Sequence, residues 1–148
     1  MADIDELAQD ITDSCIALRV RQLNRVITSI YEEELRTHSL TIAQLNILAL
    51  VAQYEIITPQ TIGVELRIEK STLSPGLDRM VRNGWLDGSY SEGGRLQSVK
   101  ISKAGEKLLK KASTGWASAQ EQVEEALGKR NMKNLFTAVT KVVGEPES

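Results

Sequence analysis

Residues 41–101 contain three short helical patterns followed by two strand-like segments, and few small folds accommodate that order. Two of the helices begin at recognisable caps. Thr41-Ile-Ala-Gln44 has the form of a capping box, and Thr58-Pro59 places a threonine cap before a proline at the first helical position. Apolar residues recur at helical spacing after both caps. The sequence predicts helices over residues 41–53, 58–66 and 70–83.

The third helix is followed by a predicted hairpin. Its apolar positions, such as Leu73 and Leu77, form one stripe, and Asn83-Gly84 supplies a left-handed stop. Residues 85–101 then predict two strands, joined by the glycine-rich tip at residues 91–95. Three short helices and a two-stranded hairpin in this order predict a winged helix-turn-helix.

Long apolar helical stripes flank this unit on both sides. Residues 4–36 contain no proline or glycine and predict one long helix, and residues 104–143 predict two more helices. Stripes of this length must be buried, and the same surface of a second chain is the partner we expect. The predicted fold is therefore mainly α (α+β). Its expected parts are a helical dimerisation region at residues 1–36 and 104–143, a winged unit at 37–103, and a flexible tail at 144–148.

Composition and charge narrow the class of protein. A length of 148 residues suits one compact domain, and no apolar run reaches the ~20 residues of a membrane span. The acidic start lacks the pattern of a secretory signal, and the single cysteine, Cys15, cannot form an intrachain disulfide, so we expect a cytoplasmic protein. The net charge is −2, but residues 60–103 carry seven basic and five acidic side chains. Basic residues thus collect within the predicted winged unit.

Several short motifs in the right order give the chain a resemblance to a known family. They are LTIAQLNIL at residues 40–48, EKSTLS at 69–74, NGWL at 83–86, Gly94-Arg95, and ISKAG at 101–105. Over most of its length the chain resembles the MarR family of transcriptional regulators. The resemblance implies a homodimer that binds a palindromic duplex operator, usually as a repressor. It also implies that a small ligand or cysteine oxidation alters the affinity for DNA.

The predicted third helix carries most of the expected DNA contacts. Pro75 lies opposite the Leu73–Leu77 stripe, where an exposed apolar ring can touch thymine methyl groups in the major groove. Arg79 is long enough to reach a base edge, and Lys70 can face phosphate. A kink tolerated on a solvated face is the alternative explanation of Pro75. The predicted DNA-binding residues are Lys70, Ser71, Thr72, Ser74, Pro75, Arg79 and Arg95.

The wing is poorer in charge than the resemblance leads one to expect. Gly88, Ser89 and Gly93 occupy places where the family commonly has charged residues. Arg95 can still enter a narrow minor groove, with Glu92 as the one neighbour expected to position it. Fewer phosphate contacts imply weaker, less salt-dependent binding. The alternative function is a winged-helix protein–protein interaction module, or a paralogue that has lost DNA binding.

Cys15 and Tyr31 are candidates for a redox or effector site. Cys15 in the dimer-forming helix can act as a thiol sensor if neighbours such as Arg19 lower its pKa, or it can be a small apolar residue of the buried stripe. A branch of the family with a reactive cysteine has two tyrosines near the thiol. Tyr31 matches one of them, whereas Ile42 stands at the other position. Both explanations of Cys15 stay open.

The amino-acid composition gives little support for a catalytic or metal site. His38 is the only histidine, so a Ser/His/Asp triad has one candidate base and a tetrahedral zinc site lacks ligands. The sequence also has no phosphate-cradling glycine-rich loop. We expect no enzymatic activity, no metal and no cofactor.

Overall fold

The computed structural model describes residues 3–145, and these residues form a mainly helical chain with one two-stranded sheet. The predicted fold class is confirmed. The elements in chain order are α1 (Ile4–Ser14), α2 (Ile16–Leu35), a 3-10 turn (Arg36–His38), α3 (Ile42–Val51), α4 (Pro59–Leu66), α5 (Lys70–Arg82), β1 (Leu86–Tyr90), β2 (Leu96–Ile101), α6 (Lys103–Leu127) and α7 (Lys129–Val143). None of the described helices is long and apolar enough to cross a bilayer.

The N-terminal region is two helices, so the prediction of one helix over residues 4–36 is wrong. Cys15 separates α1 from α2 and has extended backbone angles, φ −72° and ψ 109°. The residues before it, Thr12 to Ser14, are weak helix formers. The hydroxyl of Thr12 donates to the carbonyl of Ala8 at 3.1 Å, and that of Ser14 to the carboxylate of Asp10 at 3.3 Å. Weak propensity can therefore end a helix where no proline or glycine stands.

The cap signals function as predicted. Thr41 and Gln44 form the complete capping box of α3, with bonds of 3.1 and 3.0 Å. Thr58 accepts from the amide of Thr61 at 3.2 Å and starts α4. After α5, Gly84 adopts a φ of +79°, which only glycine tolerates freely. The predicted left-handed stop at Asn83-Gly84 is thereby confirmed, and it turns the chain into the wing.

The core of the winged unit joins the three short helices to the base of the wing. Its fully buried side chains come from α3, α4, α5 and both strands: Leu48, Val51, Ile62, Leu77, Met80, Leu86 and Val99. The sheet pairs Leu86 with Ile101 and Asp87 with Lys100 in antiparallel register. A bridge that the sequence did not indicate joins Ile57 to Val99 through bonds of 3.0 and 2.9 Å. This bridge ties the loop before α4 to β2.

Helices α2 and α6 pack closely against each other and support the winged unit. Leu35 of α2 and Ala112 and Ala119 of α6 are fully buried. Gly115 permits the close approach, because a Cβ there would lie 2.9 Å from the carbonyl oxygen of Glu34. The carboxylate of Glu34 in turn accepts from polar side chains of α6, Ser118 at 3.2 Å and Gln122 at 2.6 Å.

The two terminal helices have no buried residue within one chain. The boundaries between a dimerisation region at residues 1–36 and 104–143 and a winged unit at 37–103 stay a prediction. Of the tail predicted at 144–148, residues 146–148 lie outside the described part of the chain.

Candidate nucleic-acid interface

Helix α5 has one buried face and one open face. Leu73, Leu77 and Met80 are buried, and their spacing fixes the rotation of the helix on the core. Predicted contact residues that are exposed on α5 are Lys70, Ser71, Thr72, Pro75 and Arg79, while Ser74 is half-buried. At 100° per residue, Lys70 and Ser74 lie at one edge of the open face, Thr72 and Arg79 at the other, and Ser71 and Pro75 between them. The structure thus brings the predicted residues of α5 onto a single surface.

Pro75 lies inside α5 rather than at its end. The helix continues through this residue to Arg82, although proline cannot donate to the carbonyl of Ser71. An interior proline costs about 3 kcal/mol, whereas each fully buried large apolar side chain contributes about 1.5–3 kcal/mol. Burial of Leu77 and Met80 therefore outweighs the proline. The ring of Pro75 is left exposed on the open face.

The N-terminus of α5 is open towards solvent. Glu69 is the N-cap, and its side chain makes no capping hydrogen bond. The amides of Thr72 and Leu73 both bond to the carbonyl of Glu69, at 3.0 and 2.9 Å. The first amides of the helix, at Lys70 and Ser71, precede any intrahelical acceptor and suit an anion beside the Lys70 ammonium group.

The wing tip holds the backbone of Arg95 in place, and Ser91 does this rather than Glu92. The amide of Ser91 donates to the carbonyl of Arg95 at 2.8 Å, and the amide of Arg95 donates to the hydroxyl of Ser91 at 3.2 Å. Gly94 completes the turn with a φ of +79°. Within the described residues no ion pair joins Glu92 to Arg95, so the expectation that Glu92 positions this side chain is wrong. Arg95 itself is exposed.

A cleft of about 670 Å³ joins α4, α5 and the wing. Lys70 and Ser74 line it from α5 and Arg95 from the wing, so three predicted residues from two elements meet in one place. Polar residues that the sequence did not single out also line it: Thr58, Gln60 and Gln97. Gln60 follows a helix cap and Gln97 points outward from β2, so only the tertiary arrangement reveals that they belong to this surface.

Tyr31 and Cys15 do not form one site within a chain. Tyr31 is buried, its hydroxyl donates to the side-chain carbonyl of Gln120 on α6, and burial raises its pKa above the ordinary 10.0. Cys15 is half-buried at the junction of α1 and α2. The two residues are 16 positions apart, which is about 24 Å along a helix. Within one chain, Cys15 therefore lies outside the surroundings of Tyr31.

The described residues do not include a candidate metal-binding site. Between residues 3 and 145, no group of three or more His, Cys, Asp or Glu side chains is placed to hold a metal ion. His38 ends the 3-10 turn and is half-buried.

Comparisons with known proteins agree with this architecture. The MarR family model matches residues 40–93. A MarR mutant from E. coli, complexed with operator DNA, superposes with a TM-score of 0.77 at 19% identity, covering 95% of this chain and 99% of that one. The transcriptional repressor CouR, bound to p-coumaroyl-CoA, gives 0.79 at 17% identity, covering 98% and 99%. The M. tuberculosis transcriptional regulator MosR gives 0.70 at 24% identity, covering 87% and 98%.

No curated protein matches the sequence. The structural likeness lies below 25% identity and establishes the fold, whereas the family model matches the stretch from α3 to the wing tip. Residues 40–93 of this chain therefore match the MarR family, and the chain as a whole has the fold of the structures compared.

Proposed function

We propose that the protein is a homodimeric, sequence-specific regulator of transcription that binds duplex DNA and represses the genes it controls. The observation that carries the proposal is the convergence of Lys70, Ser74 and Arg95 on one cleft. This cleft adjoins the exposed face of α5 that carries Pro75 and Arg79. The E. coli MarR structure, complexed with operator DNA, has the same fold and supports the assignment.

Each contact residue has a distinct task in this proposal. Helix α5 enters the major groove, where Arg79 hydrogen-bonds a base edge and Pro75 touches thymine methyl groups. Lys70 and the first amides of α5 bind phosphate and set the register. Arg95 reaches into the adjacent minor groove from a wing tip held by Ser91.

The dimer is supported by the two terminal helices. Large apolar side chains are exposed on both, among them Ile4 and Ile11 on α1 and Phe136 and Val142 on α7. Surfaces of this kind mark interaction sites. A two-fold dimer would hold two winged units about 34 Å apart, the spacing of half-sites one helical turn apart.

Release from DNA is the second part of the proposal. CouR, with the same fold, is bound to p-coumaroyl-CoA, which supports a small ligand as the signal. Oxidation of Cys15 is the other signal, since the thiol lies at a helix junction and is half-buried rather than enclosed.

Selection of genomic fragments by the purified protein, followed by titration of the enriched duplex, tests the proposal. Arg79→Ala should lower discrimination between operator and mismatched duplex by about 1–3 kcal/mol, whereas Lys70→Ala should weaken all duplexes and lower the salt slope by about one. Lys103→Ala is the matched control, because this lysine is exposed on α6 outside the cleft. Unchanged binding in both interface variants would show that the assignment is wrong.

A protein–protein interaction module is the second candidate. It is favoured by the uncharged wing positions Gly88, Ser89 and Gly93 and by the net charge of −2. If no duplex is enriched over bulk genomic DNA, this candidate replaces the first.

A further inference from the structure

Tyr90 is an exposed aromatic residue at the end of β1, beside the wing tip. Its side chain is 48% exposed, although strand alternation places it on the same face of the wing as the buried Leu86. The hydroxyl of Tyr31 donates to Gln120, whereas within residues 3–145 the hydroxyl of Tyr90 has no hydrogen-bond partner. A half-exposed ring on the wing thus carries a free hydrogen-bond donor.

Gly88 makes room for the ring of Tyr90. A Cβ at Gly88 would lie 3.1 Å from the Cε2 atom of Tyr90 and 2.8 Å from the Cδ1 atom of Leu96. Gly88 does not have a positive φ, so this glycine supplies space rather than a special backbone conformation. The ring of Tyr90 therefore lies back along β1, across the wing, instead of extending beyond the wing tip.

The ring lies where the wing meets α5, a region that we call the α5–wing junction. The same Cβ at Gly88 would lie 3.4 Å from the Cγ2 atom of Val81 on α5, so Tyr90 and Val81 border one small space. Leu96, the strand partner of Tyr90, lines a cavity of about 190 Å³ between α5 and the wing. The charged residues that line this cavity are Lys70, Asp78 and Arg95. Two cations and one carboxylate leave the junction with a positive balance, which suits phosphate.

One strand of the duplex has to cross the α5–wing junction in the complex proposed above. When α5 occupies the major groove and Arg95 the adjacent minor groove, the sugar–phosphate backbone that separates the two grooves runs between α5 and the wing. Tyrosine hydroxyls are common donors to phosphate oxygens in protein–DNA complexes. Tyr90 lies on the wing side of this backbone, so its free hydroxyl is within the region that the phosphates cross.

We infer that the hydroxyl of Tyr90 donates a hydrogen bond to a phosphate of the strand that crosses the α5–wing junction. The inference rests on the DNA binding proposed above and adds a contact to it. Tyr90 thereby supplies a neutral contact in a wing whose Gly88, Ser89 and Gly93 carry no charge. Unlike lysine or arginine, a neutral donor releases no counterion when it binds phosphate. It therefore adds affinity without making the binding more dependent on salt.

Tyr90→Phe removes the hydroxyl and keeps the ring, so it tests the contact without removing the packing. Fluorescence anisotropy gives the dissociation constants for the selected operator and for an unrelated duplex over a range of salt concentrations. We expect Tyr90→Phe to weaken both duplexes by the same factor, about 3- to 10-fold, because phosphate contacts carry no sequence information. The slope of log K against log salt should be unchanged, whereas Lys70→Ala should lower it by about one.

Operators with a single neutral methylphosphonate locate the phosphate that Tyr90 contacts. Each of these operators removes the charge of one phosphate along the half-site. At one position per half-site, Tyr90→Phe and the unmodified protein should differ by less than about twofold, since the contact that distinguishes them is already weakened. At the other positions the full difference should remain.

Tyr54→Phe is the matched control, because Tyr54 is also exposed and lies between α3 and α4, outside the cleft. It should bind DNA like the unmodified protein, and thermal unfolding checks that both variants remain folded. The inference is overturned if Tyr90→Phe binds like Tyr54→Phe, if its loss is confined to the operator, or if the loss is the same with every methylphosphonate. If Lys70→Ala and Arg79→Ala act as expected in these cases, the proposed function stands and only this contact is wrong. If no duplex is enriched, both are wrong.

Discussion

Replacing Pro75 by alanine should make the protein more stable and a poorer DNA binder at the same time. The ring is exposed within α5, and the carbonyl of Ser71 is denied its usual intrahelical partner. Alanine supplies the missing amide and the best helix propensity. Water can already hydrogen-bond an exposed carbonyl. We therefore expect the free energy of unfolding to rise by about 1–3 kcal/mol and not by more. For a chain of this size the gain corresponds to about 2–4 °C in Tm per kcal/mol.

The same substitution removes the apolar ring that we assign to thymine methyl groups. Its effect on DNA is best measured as a coupling, with operators in which deoxyuridine replaces one thymidine at a time and so deletes one methyl group. We expect Pro75→Ala and the critical methyl deletion to be coupled by about 0.5–1 kcal/mol in a double-mutant cycle. Fluorescence anisotropy supplies the binding constants, and thermal unfolding at one fixed protein concentration supplies the stability.

Two results would refute this account of Pro75. A variant that is less stable would mean that the ring makes a packing contact within the fold. Additive effects of Pro75→Ala and every methyl deletion would mean that the proline is a kink tolerated on a solvated face.

Four further substitutions test particular positions in the structure. Gly105→Ala should destabilise the fold by about 1–3 kcal/mol, because a Cβ would clash with the carbonyl of Trp85 and lie 2.9 Å from Ile101. Gly76→Ala on α5, where a Cβ meets nothing within 4 Å, should instead stabilise it by about 0.5–1 kcal/mol. Chemical denaturation measures the free energy of unfolding of both variants. A change of the same sign in the two variants would contradict the packing described. Tyr31→Phe should cost about 0.5–1.5 kcal/mol through its bond to Gln120. Burial raises the pKa of Tyr31, so its contribution is complete below pH 10 and falls as pH rises through the folded-state pKa. Unfolding curves of Tyr31→Phe should lack this loss of stability at alkaline pH. A pH profile equal to that of the unmodified protein would show that ionisation of Tyr31 does not cause the loss. Cys15→Ser should abolish any release from DNA by organic hydroperoxide while leaving ligand release intact; equal release in both proteins excludes the thiol as the sensor.

Local side-chain chemistry predicted much of this fold. Thr41 with Gln44, Thr58 with Pro59, and Asn83 with Gly84 each act within a few residues, so their effect on helix ends can be read without the tertiary structure. The apolar stripe of α5 likewise predicted which of its faces is open. Exposure of Lys70, Pro75 and Arg79 followed from that stripe alone.

Other features depend on long-range packing or weak local preferences. The break at Cys15 arises from several poor helix formers in succession, none of which is decisive alone. The bridge between Ile57 and Val99 joins residues 42 positions apart and leaves no pattern in either segment. Gln60 and Gln97 join the candidate interface only because α4 and β2 meet beside α5.

Stoichiometry on DNA tests the central claim most directly. Native mass spectrometry of the protein mixed with its selected duplex counts the chains bound to one DNA molecule. Two chains per duplex, already paired in free protein at micromolar concentration, are expected if the terminal helices join two winged units. A strictly monomeric protein, or one chain per duplex at saturation, would contradict the account.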